Sequence, residues 1–287
     1  HMQASFRMED LYQYKTILPP KNEQTIIAKF LDQKTAQIDE AIAIKEKQIA
    51  LLKERKQIMI QKAVTKGLDP NVPMKDSGVE WIGEIPEHWG LLPGFTVYNE
   101  SKESNIGMKE SQVLSLSYGN IVVKPAEKLT GLVPESFETY QVVRPDDIII
   151  RCTDLQNDKN SLRTGISKYL GIITSAYLNI RIKNNTLPKY LHSYFHVLDI
   201  TKAIYKYGSG LRQNLSFGDF KHMKILQPPA EEQDSIVKYI EIKASEIVRL
   251  TEIQLQQIDA LKEFKSTLIN SAVTGKIKIT PDMVSAV

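Results

Sequence analysis

Two stretches of this chain carry side chains suited to reading a nucleic acid. Residues 151–165 read RCTDLQNDKNSLRTG, rich in Asp, Asn, Gln, Lys and Arg between two apolar runs. Asn and Gln can pair with adenine, and Arg and Lys with guanine, so a loop of this make-up can discriminate bases. Its candidate contacts are Arg151, Gln156, Asn157, Lys159, Asn160 and Arg163, with Lys168 just beyond. Residues 205–216 read YKYGSGLRQNLS. Here Gly208 and Gly210 allow close backbone approach to a ligand, and Lys206, Ser209, Arg212 and Gln213 lie around them.

Enzymatic chemistry has no comparable set of residues. The sequence lacks a Gly-x-x-x-x-Gly-Lys-Ser/Thr loop to cradle a nucleotide. Adenine methyltransferases use an Asn/Asp-Pro-Pro-aromatic signature, but here the Pro-Pro pairs follow Leu18 and Gln227 and precede Lys21 and Ala230. RPDDIIIRCTDLQ has the loose outline of a metal-dependent nuclease, with Asp146, Asp154 and a Gln156 in the lysine place, yet a strand-capping turn accounts for Pro145-Asp146 equally well. His192 and His196 are four apart, as zinc ligands on a helix can be, but they stand among aromatics with no third ligand nearby in sequence. They read as packing residues. Cys152 is the only cysteine, which excludes an internal disulfide and argues against a thiolate zinc site. The expectation is therefore a non-catalytic protein, with no catalytic residue, no metal site and no cofactor bound directly.

The surrounding sequence gives those loops a setting. A chain with 42% hydrophobic and 25% charged residues has the profile of a soluble globular protein. No apolar run approaches the roughly 18 residues of a membrane span and no signal-peptide pattern opens the chain, so a cytoplasmic location is expected. His1-Met2 resembles the remnant of an expression tag. The net charge of +3 is small, but it is unevenly spread. Residues 90–150 hold five basic and eight acidic side chains, whereas residues 151–212 hold ten basic side chains, three aspartates and no glutamate. A basic half interleaved with Tyr, Asn, Gln and Ser is suited to phosphates and base edges.

An internal repeat frames this domain. ILPPKNEQTIIAKFL near the start is echoed by LQPPAEEQDSIVKYI near the end, and about 20 of 56 aligned positions are identical from Asp10 to Thr65. Each copy predicts a long helix, with prolines at the first turn and Glu23 or Glu232 near the positive end of the helix dipole. The first copy repeats apolar residues at heptad spacing through Leu31, Ile38, Ile42, Ile49, Leu52 and Met59. The second does so through Ile240, Ile247, Ile258, Leu261 and Leu268. Both seams carry polar interruptions at matching places, Lys45 with Gln254 and Lys56 with Lys265, which suits helices that pack on each other in one register. At about 1.5 Å per residue each helix is roughly 60 Å long, far more than a local core needs.

Between the copies, Gly67, Pro70, Pro73 and Gly78 end the first helix, and Trp81 and Trp89 are expected anchors. Strand-rich runs follow, SQVLSLSYGNIVVK, YQVVRPDDIIIRCT and TGISKYLGIITSAYLNIRIK, and a helical LPKYLHSYFHVLDITKAIYKYG closes the domain. The fold class expected is α+β, one mixed globular domain flanked by two long helices whose matching seams suit a coiled coil. Its parts are a short lead-in over 1–20, the first helix over 21–66, the globular domain over 67–228, the second helix over 229–275 and a tail over 276–287.

LPPKNEQTIIAKFLD, MKDSGVEWIGEIPEHW and GSGLRQNLSFGDFKHMKILQPPAEEQ closely resemble the specificity subunits of type I restriction-modification systems. The resemblance spans nearly the whole chain. It implies a target-recognition domain that reads one half of a bipartite site in double-stranded DNA. It also implies helices that form an antiparallel coiled coil, hold two half-sites at fixed spacing and dock methyltransferase subunits, with an ATP-driven motor-nuclease subunit completing the complex. S-adenosylmethionine and ATP would then belong to those partners. The family pattern has two recognition domains, and this sequence has one. SFRMEDLYQYKTILPP matches LSFGDFKHMKILQPP, so residues 1–20 read as the tail of a missing first domain. The chain is then either a fragment or a natural half-subunit that would act as a homodimer on a palindromic site. The alternative from another class is a coiled-coil adaptor whose globular domain binds protein.

Overall fold

The computed structural model describes residues 17–125, 136–153, 162–207 and 214–285. Helix α1 (Lys21–Lys66) leads into the short strands β1 (Met74–Asp76), β2 (Glu84–Pro86) and β3 (Gly90–Pro93), the helical turn α2 (Gly94–Val97) and β4 (Tyr98–Glu100). The strands β5 (Leu114–Ser117), β6 (Asn120–Val123), β7 (Gln141–Val143), β8 (Ile148–Ile150), β9 (Thr164–Ile166), β10 (Gly171–Ile173) and β11 (Leu178–Ile182) follow. Helix α3 (Pro188–Ile200), a 3-10 turn (Ala203–Tyr207), α4 (Phe217–Phe220), β12 (Lys224–Gln227), the long helix α5 (Ala230–Val273) and α6 (Asp282–Ser285) complete the order.

The repeated Pro-Pro-x-x-Glu-Gln stretch is a helix-starting device. In each copy the glutamine closes the first turn twice. Gln24 N donates to Pro20 O and its Nε2 to Pro19 O, while Gln233 N donates to Pro229 O and its Nε2 to Pro228 O. The backbone bond is the first i→i−4 bond of each helix, and the side-chain bond ties the carbonyl just before it to the same glutamine. Gln233 does more, since its Oε1 accepts from Leu187 N at 2.9 Å and the residue is buried. Glu232 accepts from His88 Nε2 at 2.6 Å and from Trp89 Nε1 at 2.9 Å. Its counterpart Glu23 is exposed.

Two compact units divide the chain, one of residues up to 53 with those from 247 onward, the other of residues 54–246. In the first unit, Leu31, Ile38, Ile42, Ile49 and Leu52 on α1 and Ile247, Ile258, Leu261 and Leu268 on α5 are all buried or half-buried. Ile44 and Leu51 on α1 and Leu255 and Phe264 on α5 are exposed. Lys45 Nζ donates to Gln257 Oε1 at 2.6 Å and to Gln254 Oε1 at 3.3 Å, and Lys265 Nζ reaches both oxygens of Asp39 at 2.6 Å. Phe30, Ala272 and Ile279 close one end in a buried cluster with Leu31 and Leu268.

The second unit takes in the last turns of α1 and the first turns of α5, because Ile60, Ala63, Val64, Ile236, Val237 and Ile240 belong to its main core. Met59 packs against the same core. Helix α1 ends at Gly67, whose φ of 74° supplies the left-handed residue that helix ends favour. The central sheet runs β4-β11-β8-β9, all antiparallel. Strand β8 is three isoleucines with no exposed surface. Its alternation explains why. Ile148 and Ile150 face the core built on Tyr190, Tyr194 and Phe195 of α3, while Ile149 packs with Leu114 and Ile121 of the β5–β6 hairpin on the other face.

Candidate nucleic-acid interface

The central sheet has two ends, and the candidate residues divide between them. At one end β8 leaves as Arg151 and Cys152, and the chain returns through Arg163 to β9. Arg151 N donates to Arg163 O at 2.8 Å, and Leu215 N donates to Cys152 O at 2.9 Å. The segments 154–161 and 208–213 are therefore rooted side by side, 153 and 162 flanking the first and 207 and 214 the second. Gln156, Asn157, Lys159, Asn160, Ser209, Arg212 and Gln213 belong to these segments and lie outside the described residues, as does Asp154. Arg151 is half-buried at the root. The turn between β5 and β6, with Tyr118 exposed at its tip, reaches the same end, because Gly119 abuts Leu162 and the backbone oxygen of Thr164.

Lys168 is exposed at the opposite end of β9. There Asp146 N donates to Ser167 O and Ser167 N to Asp147 O, both at 2.9 Å. Lys168 and Arg151 are thus a strand's length apart. Lys206 is exposed next to the second segment, and its Nζ donates to Glu80 Oε2 at 2.6 Å. That hydrogen bond holds the Glu80 carboxyl below its ordinary pKa.

Arg163 requires a correction to the sequence reading, which placed it among surface contacts. It is fully buried. Its Nη1 donates to Thr153 O at 2.8 Å and to Arg151 O at 3.3 Å, and its backbone N donates to Asp199 Oδ2 at 2.6 Å. The guanidinium lies 6.0 Å from the Tyr205 ring centroid. A buried cation persists where acceptors surround it. Here they are the carbonyls of Arg151 and Thr153 just before the 154–161 segment, and Arg163 itself follows that segment, so it clamps the root of the loop. A run of polar residues in sequence does not reveal which one turns inward.

The residues weighed for catalysis have structural partners. Asp146 is exposed with φ 70°, a turn conformation. Its neighbour Asp147 is buried and takes Arg181 as a two-toothed partner, Nε to Oδ1 at 2.8 Å and Nη2 to Oδ2 at 2.7 Å. Burial pushes the Cys152 thiol up to about 12, which removes thiolate reactivity at neutral pH. Among the described residues, no three His, Cys, Asp or Glu side chains are grouped to hold a metal ion.

His192 and His196 face each other on α3 with ring centroids 6.5 Å apart. Burial pushes both down to about 4, with His196 adding to the effect on His192 and Lys56 to that on His196. The rings are therefore neutral in the folded chain at pH 7, whereas an unfolded histidine takes up a proton near 6.5. Their stabilising contribution is complete above pH 6.5 and is lost as pH falls toward 4. For His192 alone the loss is about 3 kcal/mol. Urea midpoints measured from pH 7 to pH 4.5 should fall steeply for the wild-type chain and more shallowly for a His192→Phe, His196→Phe double variant. Parallel curves would separate acid sensitivity from this pair.

Known proteins match this arrangement along almost its whole length. No protein-family model matches the sequence. A candidate MjaX type I restriction enzyme specificity subunit of Methanocaldococcus jannaschii is 28% identical over 288 residues, covering 96% of this chain and 62% of its own length. The MjaVIII type I restriction enzyme specificity subunit of the same organism is 25% identical over 281 residues, covering 92% and 62%. This chain is related to type I restriction specificity subunits. It spans 62% of the length of these two relatives. The fold agrees. The crystal structure of an HsdS subunit from Thermoanaerobacter tengcongensis superposes with a TM-score of 0.54 at 17% identity, covering 96% of this chain and 65% of that one. A chain from a structure of the type I R-M system gives 0.64 at 16% identity, covering 91% and 61%. The chain has a mixed α/β fold with long helices of the HsdS kind, and among its described residues no helix is long and apolar enough to cross a membrane.

Proposed function

We propose that this chain is the DNA-recognition and scaffold component of a type I restriction-modification complex, without catalysis of its own. Residues 54–246 read one half of a bipartite site in double-stranded DNA through the segments 154–161 and 208–213. The observation that carries this reading is the convergence of the roots of both segments on one end of the sheet, where Arg151 N donates to Arg163 O and Leu215 N to Cys152 O. The buried Arg163 and Lys168 at the opposite end stand outside that contact set. The helices form an antiparallel coiled coil that sets half-site spacing and docks methyltransferase subunits. The pairings of Asp39 with Lys265 and Lys45 with Gln254 support opposed directions, since one number rises as the other falls. A motor-nuclease subunit joins the methyltransferase, and S-adenosylmethionine and ATP bind to those partners.

Retention on a duplex-DNA column measured against salt tests the reading. Binding through Z phosphates makes log K fall with log salt at a slope of about −0.9Z, so a contact set of this size should give a slope of about −4 to −6. Replacing Arg212 and Lys159 together by Ala should flatten the slope by about two. Retention that ignores salt, together with no capture of the methyltransferase, would instead favour an adaptor that binds some other protein.

A further inference from the structure

The turn that joins β5 to β6 contains an unusual residue. Its two central positions, Tyr118 and Gly119, have φ of 48° and 76°, the left-handed pair of a tight hairpin turn. Glycine adopts that conformation freely, and asparagine or aspartate tolerates it. A bulky aromatic does not favour it. The fold takes no packing from Tyr118 in return, because the residue is 90% exposed. An aromatic that is both strained in its backbone and uncovered in its side chain points outward to something else.

The tip is also held in place. A Cβ on Gly119 would lie 3.0 Å from Leu162 Cδ1, and one on Gly165 would lie 2.7 Å from Leu116 Cδ1 and 3.3 Å from Gly119 O. Both glycines let the hairpin seat closely on β9. Asn120 Nδ2 donates to Tyr118 O at 3.2 Å across the turn. Leu162 directly follows the 154–161 segment, so the ring is presented beside the root of the loop that carries Gln156, Asn157, Lys159 and Asn160. A rigidly mounted phenol there offers a flat apolar face for a base or deoxyribose and a hydroxyl for a phosphate oxygen.

We propose that Tyr118 is a further DNA-contacting residue, an aromatic probe that packs against the bases next to the segment 154–161. The inference rests on the DNA-recognition reading above and extends it to the β5–β6 hairpin. Hairpin tips that insert apolar or aromatic side chains against a base step add affinity without adding charge.

Photo-cross-linking of the full chain to a pool of random-sequence duplexes, with 5-iodouracil in place of thymine, tests it. Mass spectrometry should find an adduct on Tyr118. The Tyr118→Asn variant, whose asparagine suits a positive φ, should lose that adduct, keep or raise its melting temperature, and bind the pool about tenfold more weakly. Its salt slope should match the wild type, because no phosphate-binding charge is removed. Adducts confined to other residues, with unchanged affinity in Tyr118→Asn, would overturn the proposal and leave the DNA reading standing. Unchanged DNA affinity with lost capture of the methyltransferase would assign the tip to protein and overturn it too. A wild-type chain without salt-dependent binding to the pool would instead remove the DNA reading itself.

Discussion

Asp147→Ala should lower the stability of the globular unit by about 3 kcal/mol, a fall in melting temperature of roughly 10 °C for a unit of this size. Asp147 is 2% exposed, and three groups depend on its carboxylate. Arg181 grips both carboxylate oxygens, Arg144 N donates to Oδ2 at 2.9 Å, and Asn179 Nδ2 lies 3.4 Å from the same oxygen. The network continues outward, since Glu103 accepts from Arg144 at 2.8 Å and lies 3.5 Å from Arg181. Removing the carboxylate leaves a half-buried guanidinium and two donors without their acceptor. Breaking a buried pair from one side costs more than replacing both partners. The Asp147→Val, Arg181→Met double variant should therefore recover much of the loss. Thermal unfolding followed by circular dichroism gives both numbers. If the double variant melted as low as the single one, the pair would not be the source of the effect.

The same aspartate shows where sequence reasoning stops. Pro145-Asp146-Asp147 reads equally as a metal-binding outline or a turn, because composition cannot say which carboxylate turns inward. The structure puts Asp146 on the outside of a left-handed turn and Asp147 beneath it, bonded to an arginine 34 residues away. Arg163 poses the same problem. In sequence it is one of several polar residues in a loop, and its burial follows from carbonyls of Arg151 and Thr153 that converge only when β8 and β9 pair. Contacts of this kind are tertiary, so no local pattern carries them. Tyr118 escaped for a different reason. Gly119-Asn120 signals the turn, but the strain on the tyrosine depends on the exact turn type.

Regular elements were more legible. The strand runs contain β5 and β6, β7 and β8, and β9 to β11, separated where Gly119-Asn120 and Pro145-Asp146 signal turns. Helix α3 follows the proline at its first position, Pro188, as helix-start chemistry expects. The long helices were legible because a 3.5-residue apolar period survives over many turns. Even the polar interruption at Lys45 has a visible cause, because its ammonium meets two glutamine carbonyls and stays solvated by protein. The strands are three to five residues long. Their pairing order could not be read, because such short segments carry too few alternations to specify a partner.

Ile49→Asp should destabilise the helical unit by about 4 kcal/mol or more, since it deletes a buried aliphatic side chain and puts a carboxylate in its place. Ile49 is 8% exposed, and its repeat counterpart Ile258 is 4% exposed. The duplication makes a sharper demand than either position alone. Ile258→Asp should cost about as much, and the two should be less than additive, because one charge already parts the seam. Ile44 supplies the contrast, lying five residues earlier on the same helix but 51% exposed. Ile44→Asp should leave helix content and melting within about 0.5 kcal/mol of wild type. Capture of the methyltransferase by Ile44→Asp then separates two roles for the helix. Normal melting with lost capture would put the partner on the exposed stripe of Ile44 and Leu51, while loss of capture only in Ile49→Asp would tie docking to the closed seam. A seam variant that kept full helix content and full capture would end the measuring-rod account, because nothing would then depend on the two helices being joined.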